Sequence, residues 1–343
     1  MEYVNTGSSL LNLECSGDVR GGYKLGKMLN FVGDSSAGKS YFQLTMLALA
    51  SYNKHFDSYA KYYDEPEEAD EFNKVKLFGA KAAQSIVSPY GNRGSNKLEE
   101  FYYTMDGLLD KEKPFLYVLD SLDALSTMAE EELFDENKTN FLKGKEAKGS
   151  YGGGQAKLTS SSLRQIVDRL KMTKSLLVVV SQTRDNIGIG FAKKIRSGGN
   201  ALKFYSSYEI WSSVAQRLKK SIRGIDRNIG QIVRLKITKN KVTGRQYTEI
   251  DVPILYGYGI DDIGSMVDWL VKENVWKKDS TSINAPELSD KKFKRSELIK
   301  FIEENDKVEM IKDIVQVAWD EVDALCRADR SKQFDMEQKR KRK

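Results

Sequence analysis

Cysteine and histidine are almost absent from this chain of 343 residues, which carries two of the first and one of the second. Cys15 and Cys326 lie far apart and match no metal-binding or redox spacing, so both read as reduced packing or surface thiols. His55 sits in a polar stretch with no ligand spacing around it and reads as a surface or satisfied side chain. Long apolar runs are missing as well, none reaching the roughly 20 residues of a membrane-spanning helix. The opening Met1-Glu2-Tyr3-Val4-Asn5 lacks the basic-then-apolar pattern of a secretory signal. These absences predict a soluble, intracellular protein with no membrane partner. Nor is there a strong excess of one charge: 55 basic residues against 49 acidic ones leave +6, so any nucleic-acid footprint has to be local. No internal repeat is visible.

What is present is enough apolar residue, 40%, for a buried core in one large α/β domain with a smaller appendage. Short β-rich apolar segments, Leu29 to Val32, Ala60 to Tyr63, Phe115 to Leu119 and Leu176 to Val180, alternate with helical patterns. That alternation predicts a mostly parallel sheet with helices on both faces. Between Ala129 and Lys157 the pattern breaks into acidic residues, lysines and then glycines, which reads as a long loop of the functional or disordered kind. A second glycine-rich, basic stretch runs from Arg184 to Gly199. Ile232 to Ile237 and Tyr247 to Val252 read as strands joined by a turn at Thr243-Gly244. Beyond about Gly259 the composition shifts to charged helix-formers, with amphipathic helices at Lys294 to Glu304 and Val308 to Leu325, and the chain ends in Lys339-Arg340-Lys341-Arg342-Lys343. The expected organisation is a short lead-in over 1–20, a core over 21–260 and a helical region with a basic tail over 261–343.

The chemistry concentrates in Gly33-Asp34-Ser35-Ser36-Ala37-Gly38-Lys39-Ser40, which has the G-x-x-x-x-G-K-[ST] spacing and follows the apolar run Met28 to Val32. The glycines let the backbone turn so that successive N–H groups point at phosphates, and the helix starting near Lys39 adds its positive end. Lys39 would reach the β- and γ-phosphates and Ser40 would hold Mg²⁺. Pro114 to Ser121 is an apolar strand ending in Asp120, placed to bind the Mg²⁺ shell directly or through water. Hydrolysis also needs a group that orients the attacking water. Just past the strand Ala60 to Tyr63, Glu65 is the first candidate, with Asp64 and Glu67 as alternatives and an acidic helix start as the structural reading. Gln182, at the end of Leu176 to Ser181, could hydrogen-bond the γ-phosphate and report its presence. In the stretch that follows, Arg184, Lys193, Lys194 and Arg196 suit a phosphate backbone, while Ile187 and Phe191 could wedge between bases.

Ser197-Gly198-Gly199-Asn200-Ala201-Leu202-Lys203-Phe204-Tyr205, with Lys239-Asn240-Lys241, Ile254-Leu255-Tyr256-Gly257-Tyr258-Gly259-Ile260 and the opening Thr6-Gly7-Ser8-Ser9-Leu10, resembles the bacterial RecA recombinases. The resemblance runs from about Thr6 to Trp276. It implies a RecA-type ATPase core that uses ATP and Mg²⁺. It makes Gln182 the switch between nucleotide and DNA, and Arg184 to Gly199, closed by Gly198, Gly199 and Asn200, the second DNA-binding loop. Ala129 to Lys157 would contain the first, with Arg164 just after it as a further DNA contact. Lys203 and Phe204 would lie at the subunit interface, Lys239 and Lys241 would reach the ATP of the neighbouring protomer, and Tyr256 would lie near the adenine.

The function this implies is an ATP-dependent recombinase that forms a helical homo-oligomeric filament on single-stranded DNA and pairs it with double-stranded DNA, served by single-strand-binding or loader proteins. A ring helicase, a branch-migration factor or a non-catalytic filament on DNA are the alternatives. There are departures from the family's pattern. The core is reached almost at once, without the long N-terminal helical segment that grips the adjacent subunit, Glu209 stands near the interface where a basic residue is expected, and the tail is basic rather than acidic. A compact, divergent relative of this kind would suit a bacteriophage or mobile element, acting in the bacterial or infected-cell cytoplasm.

Overall fold

The structure, a computed structural model, describes residues 2–67, 73–91, 93–147, 149, 154–185, 194–196, 199–327 and 330, with the backbone alone for 154–157, 184–185, 194–196 and 199. It divides into two compact units, Met1–Ser265 and Met266–Lys343.

In the first unit the elements run β1 (Tyr3–Val4), α1 (Ser9–Ser16), β2 (Tyr23–Lys24), β3 (Lys27–Gly33), α2 (Lys39–Tyr52), β4 (Ala60–Asp64), α3 (Lys74–Ser85), β5 (Ile86–Val87), α4 (Leu98–Asp110), β6 (Phe115–Leu119), α5 (Met128–Leu142), α6 (Gly154–Thr173), β7 (Leu176–Asp185), β8 (Lys194–Arg196), α7 (Gly199–Tyr205), β9 (Tyr208–Ile222), β10 (Ile225–Asn240), β11 (Thr248–Leu255) and β12 (Gly259–Ile260). Among the described residues the main sheet has ten strands in the order β12-β11-β10-β9-β3-β7-β6-β4-β5, with β8 against β7. The pairings from β9 through β3, β7, β6 and β4 to β5 are all parallel. β9, β10, β11 and β12 add antiparallel pairs on one side.

The parallel strands are largely apolar because both of their faces are covered. Along β7, Leu176, Val178 and Val180 join one core with α2 residues such as Phe42, Leu44 and Leu47. Leu177 and Val179 join the other, with Leu98, Phe101 and Met105 of α4 and Leu163, Ile166 and Leu170 of α6. This layering carries the strand ends, and the loops that follow them, to one edge of the sheet, where ligand crevices form in open α/β folds. The short lead-in is part of this unit: β1 pairs with β2, and Ser8 caps α1 by accepting from Leu11 N–H.

Three stretches of this unit depart from the sequence reading. Over 129–157 a loop is expected, yet α5 occupies Met128–Leu142. The helix has no buried residue and so no apolar period to read. Its start is fixed instead by a capping box, with Thr127 Oγ1 accepting from Glu130 N–H at 3.2 Å and Glu130 accepting from Thr127 N–H at 2.8 Å. Arg184 to Gly199 is expected as a loop, but β7 runs on to Asp185 and pairs antiparallel with β8, Thr183 opposite Arg196 and Asp185 opposite Lys194. β9 has no counterpart in the sequence reading, and β10 is far longer than the Ile232–Ile237 segment. Both extend into an exposed hairpin whose polar alternation lacks an apolar face.

The helix α8 (Asp262–Lys272) spans the boundary in sequence. The second unit then holds β13 (Lys277–Asp279), β14 (Ser282–Asn284), β15 (Lys292–Phe293), α9 (Arg295–Glu304) and α10 (Val308–Leu325). The three strands form a small antiparallel sheet in a region read as helical, because strands of two or three residues are too short to show a period. Trp269 meets Trp319, Phe293 stacks on Phe301, and Arg295 makes a two-pronged bridge to Asp268 at 2.8 Å on each prong.

Candidate nucleotide site

At the end of β3 the chain turns through Asp34 to Gly38 and enters α2 at Lys39. Gly38 has φ of 77°, the left-handed region that favours glycine, and a Cβ there would press on Ile254 Cδ1 at 2.8 Å. Gly33 lies so close to β9 that a Cβ would meet the Ser212 backbone oxygen at 2.7 Å. Lys39 is buried and donates to the Asp34 carbonyl at 2.7 Å. Burial lowers its pKa, against the opposing pull of Asp120, Glu67, Asp34 and Asp123.

Around it the neighbouring strand ends contribute one group each. Asp120, just beyond β6, is buried and accepts from the Tyr63 hydroxyl at 3.0 Å. The peptide bond between Asp120 and Ser121 is cis. From β7, Gln182 N–H donates to Asp123 at 2.7 Å, and the Gln182 side-chain amide donates to Glu67 Oε1 at 3.0 Å. Ser121 donates to the same Glu67 oxygen at 2.8 Å. Thr183 donates to the Asp34 carboxylate, so two successive β7 residues touch the acidic groups around Lys39.

Of the three candidate water-positioning carboxylates, Glu67 joins this hydrogen-bonded group through Gln182 and Ser121. Glu65 lines a separate cavity of about 570 Å³ with Tyr63, Lys74 and Arg93. Asp64 is buried and accepts from Ser95 N–H and Oγ at 2.6 Å each and from Tyr117 Oη at 2.5 Å, a fully occupied structural carboxylate whose pKa burial raises. Glu65 is the first choice from sequence and Glu67 its alternative; Glu67 is the one seen to accept from Gln182 and Ser121. The chain turns at Pro66 after β4, and the turn rather than the strand end carries the acid inward.

A cavity of about 530 Å³ opens beside the turn, lined by Ser36, Gly38, Lys39, Ser40, Tyr41 and, across from them, Tyr256. Lys239, Lys241, Lys203 and Phe204 gather elsewhere: Lys239 donates to the carbonyls of Lys203 and Phe204, and Lys241 lies over the Phe204 ring at 5.9 Å. Burial, and then the neighbouring Lys241, push the Lys239 pKa down to about 8. Arg164 donates to Tyr205 Oη at 3.3 Å, and Asn200 is exposed. Glu209, expected near an interface, is buried within the sheet and accepts from Trp211 Nε1 at 3.1 Å and Thr238 Oγ1 at 2.9 Å. Ile187, Phe191, Lys193 and Gly198 lie outside the described residues, and Arg184, Lys194, Arg196 and Gly199 are placed by backbone only.

Sequence reasoning missed Ser121, Asp123, Thr183 and Gln231. The first two stand in Asp120-Ser121-Leu122-Asp123, where a strand-end acid followed by two polar side chains was the available signal. Gln231 donates its side-chain amide to Ser36 O at 2.8 Å, a contact that only the register of β10 could reveal.

The donor set suits Mg²⁺. It consists of hard oxygens, Ser40 Oγ and the Asp120 carboxylate, in a neighbourhood where four carboxylates surround one lysine. Among the described residues no three His, Cys, Asp or Glu side chains form a metal-holding group, so phosphate oxygens and water would supply the remaining ligands.

A tight glycine turn between a buried parallel strand and a helix, with an acid at the end of a nearby strand, defines a P-loop protein of the α/β class. Residues 1–261 match the RecA N-terminal domain family. Proteins named RecA from Francisella tularensis subsp. novicida (strain U112) and Francisella tularensis subsp. tularensis (strain SCHU S4 / Schu 4) are 31% identical to it over 259 residues, 75% of this chain and 65% of each of theirs. The chain belongs to the RecA family, and it spans just under two thirds of the length of these relatives. No described helix is long and apolar enough to cross a membrane.

Proposed function

We propose that this protein is a DNA-dependent ATPase that assembles as a filament on single-stranded DNA and promotes homologous pairing and strand exchange. The observation that carries the reading is the contact between Gln182 and Glu67 at 3.0 Å. Gln182 lies on β7, and β7 continues into its pairing with β8, the strand that bears Lys194 and Arg196. One strand thus joins the nucleotide end of the sheet to the basic stretch.

In this mechanism the backbone N–H groups of Asp34 to Ser40 and the Lys39 ammonium hold the phosphates, and Tyr256 covers the base. Glu67 positions the attacking water and accepts its proton. Mg²⁺, held by Ser40 and Asp120, would neutralise charge on the phosphate oxygens. Gln182 exchanges its hydrogen bond to Glu67 for one to the γ-phosphate. That exchange moves β7 and with it the arms of the DNA-facing stretch, including Arg184 and the segment from Ile187 through Phe191 and Lys193. Lys239 and Lys241 reach the nucleotide of the next protomer, beside a Phe204 ring buried by that contact, while Arg164 and Asn200 add to the DNA face.

Steady-state ATP hydrolysis with and without single-stranded DNA, combined with negative-stain images in an ATP analogue, tests this reading. The expected result is turnover stimulated by DNA and helical filaments. Closed rings, or filaments without turnover, would replace it with a motor or a passive coat.

A further inference from the structure

Arg217 stands on β9 directly opposite Gln231 of β10, and both line the cavity that holds Lys39, Ser40, Tyr41 and Tyr256. Gln231 is tied to the Ser36 carbonyl at 2.8 Å, which fixes this part of the hairpin against the glycine turn. The Arg217 side chain, by contrast, has no hydrogen bond or ion pair among the described residues. A guanidinium stays charged at any working pH and has five donors in a planar fork that matches phosphate oxygens. Held at the rim of a cavity beside a lysine, it faces like charge and has no acceptor among the described residues. A polyphosphate entering the cavity would supply one. The cavity's size, about 530 Å³, falls within the usual range for small-ligand sites.

We propose that Arg217 is a contact to the nucleotide's phosphate chain, supplied by the β9–β10 hairpin of the same protomer. The inference rests on the nucleotide assignment above and deepens it: the hairpin, and not only the turn after β3, then grips the ligand. Binding of ADP would tie the exposed basic arm, with Lys219, Lys220 and Arg223 beyond Arg217, to the state of the site.

The test is calorimetric titration of the full chain and its Arg217→Ala and Arg217→Lys variants with ADP and Mg²⁺ at low and high salt, with adenosine as a competitor. Arg217→Ala is expected to weaken ADP about tenfold, as for loss of one charge-assisted hydrogen bond. The loss should shrink at high salt, adenosine should bind both proteins alike, and Arg217→Lys should recover part of the affinity. Because Arg217 is exposed, an unchanged melting temperature in both variants shows that the fold is intact. Equal ADP affinity for the unsubstituted chain and Arg217→Ala, alongside a clear loss in Lys39→Ala, overturns the inference and leaves the nucleotide assignment standing. A loss that is independent of salt and shared by adenosine also overturns it, because the guanidinium would then stack on the base. No ADP binding by the unsubstituted chain overturns the nucleotide assignment and this inference together.

Discussion

Glu65 and Glu67 are two residues apart with a turn at Pro66 between them; Glu65 lines a cavity with Tyr63, Lys74 and Arg93, while Glu67 accepts from Gln182 and Ser121. Glu67→Gln is expected to slow DNA-stimulated ATP turnover about 10²-fold or more while leaving ATP binding in place, as when a water-positioning base is lost. Glu65→Gln should leave turnover within a factor of about two, since Glu65 lines a cavity other than the one lined by Lys39. If the two variants exchange these behaviours, Glu67 is only a hydrogen-bond partner of Ser121 and Gln182. Lys39→Ala should abolish turnover outright, because it removes the charge that stabilises the transferring phosphoryl group. Hydrolysis near the unsubstituted rate would remove the nucleotide assignment. Lys239 supplies a pH test. Its folded pKa of about 8 lies below the ordinary lysine value, so the folded state holds this proton less tightly than the unfolded chain does. This group's contribution to stability therefore rises as pH climbs through 8, while the cation that would meet a neighbour's nucleotide is lost over the same range. Assembly on DNA should fall as pH is raised from below 8 to above it, and Lys239→Arg, which keeps its charge, should flatten the profile. The same fall in both proteins would assign the pH dependence to another group.

Helix α5 shows what periodicity cannot reveal. A helix becomes legible when one face is apolar and buried. α5 buries nothing, and Phe134, Phe141 and Leu142 are all exposed. Its only strong local signal is the capping box at Thr127 and Glu130, which an acidic run conceals. The strands β3, β6 and β7 were legible because two-sided burial makes them largely apolar runs, and β4 by its short β-rich segment. The outer half of β9 and β10 was not, because a solvated ribbon needs no apolar residue to hold its pairs. With packing absent, α5 should depend heavily on its cap. Thr127→Ala is expected to cost the helix about 1 kcal/mol and to speed amide exchange across 128–142, with the global melting temperature nearly unchanged. Unchanged protection in that segment would mean that something other than the cap holds it.

For the molecule as a whole, the question is whether copies of the first unit build on one another. The glycine turn, the Asp120 strand end and Gln182 were readable from sequence, since each is a short motif at the end of an apolar strand. A cluster that becomes a contact only in the assembly leaves no such local mark. Phe204 is 70% exposed in the protomer and flanked by three lysines, an arrangement with little benefit for an isolated chain. If a neighbour covers it, an aromatic anchor enters an apolar pocket while Lys239 and Lys241 meet the phosphates beside it. Removal of such an anchor costs about 2 kcal/mol or more, which is a shift of roughly 30-fold in the concentration needed for assembly. Phe204→Ala should therefore raise the protein concentration at which filaments form on single-stranded DNA by that factor. Its melting temperature when unassembled should stay the same, because the ring makes little of the protomer's core. Light scattering or negative-stain length distributions across a concentration series would measure the shift. Unchanged filament length at matched concentration would take Phe204 out of the interface.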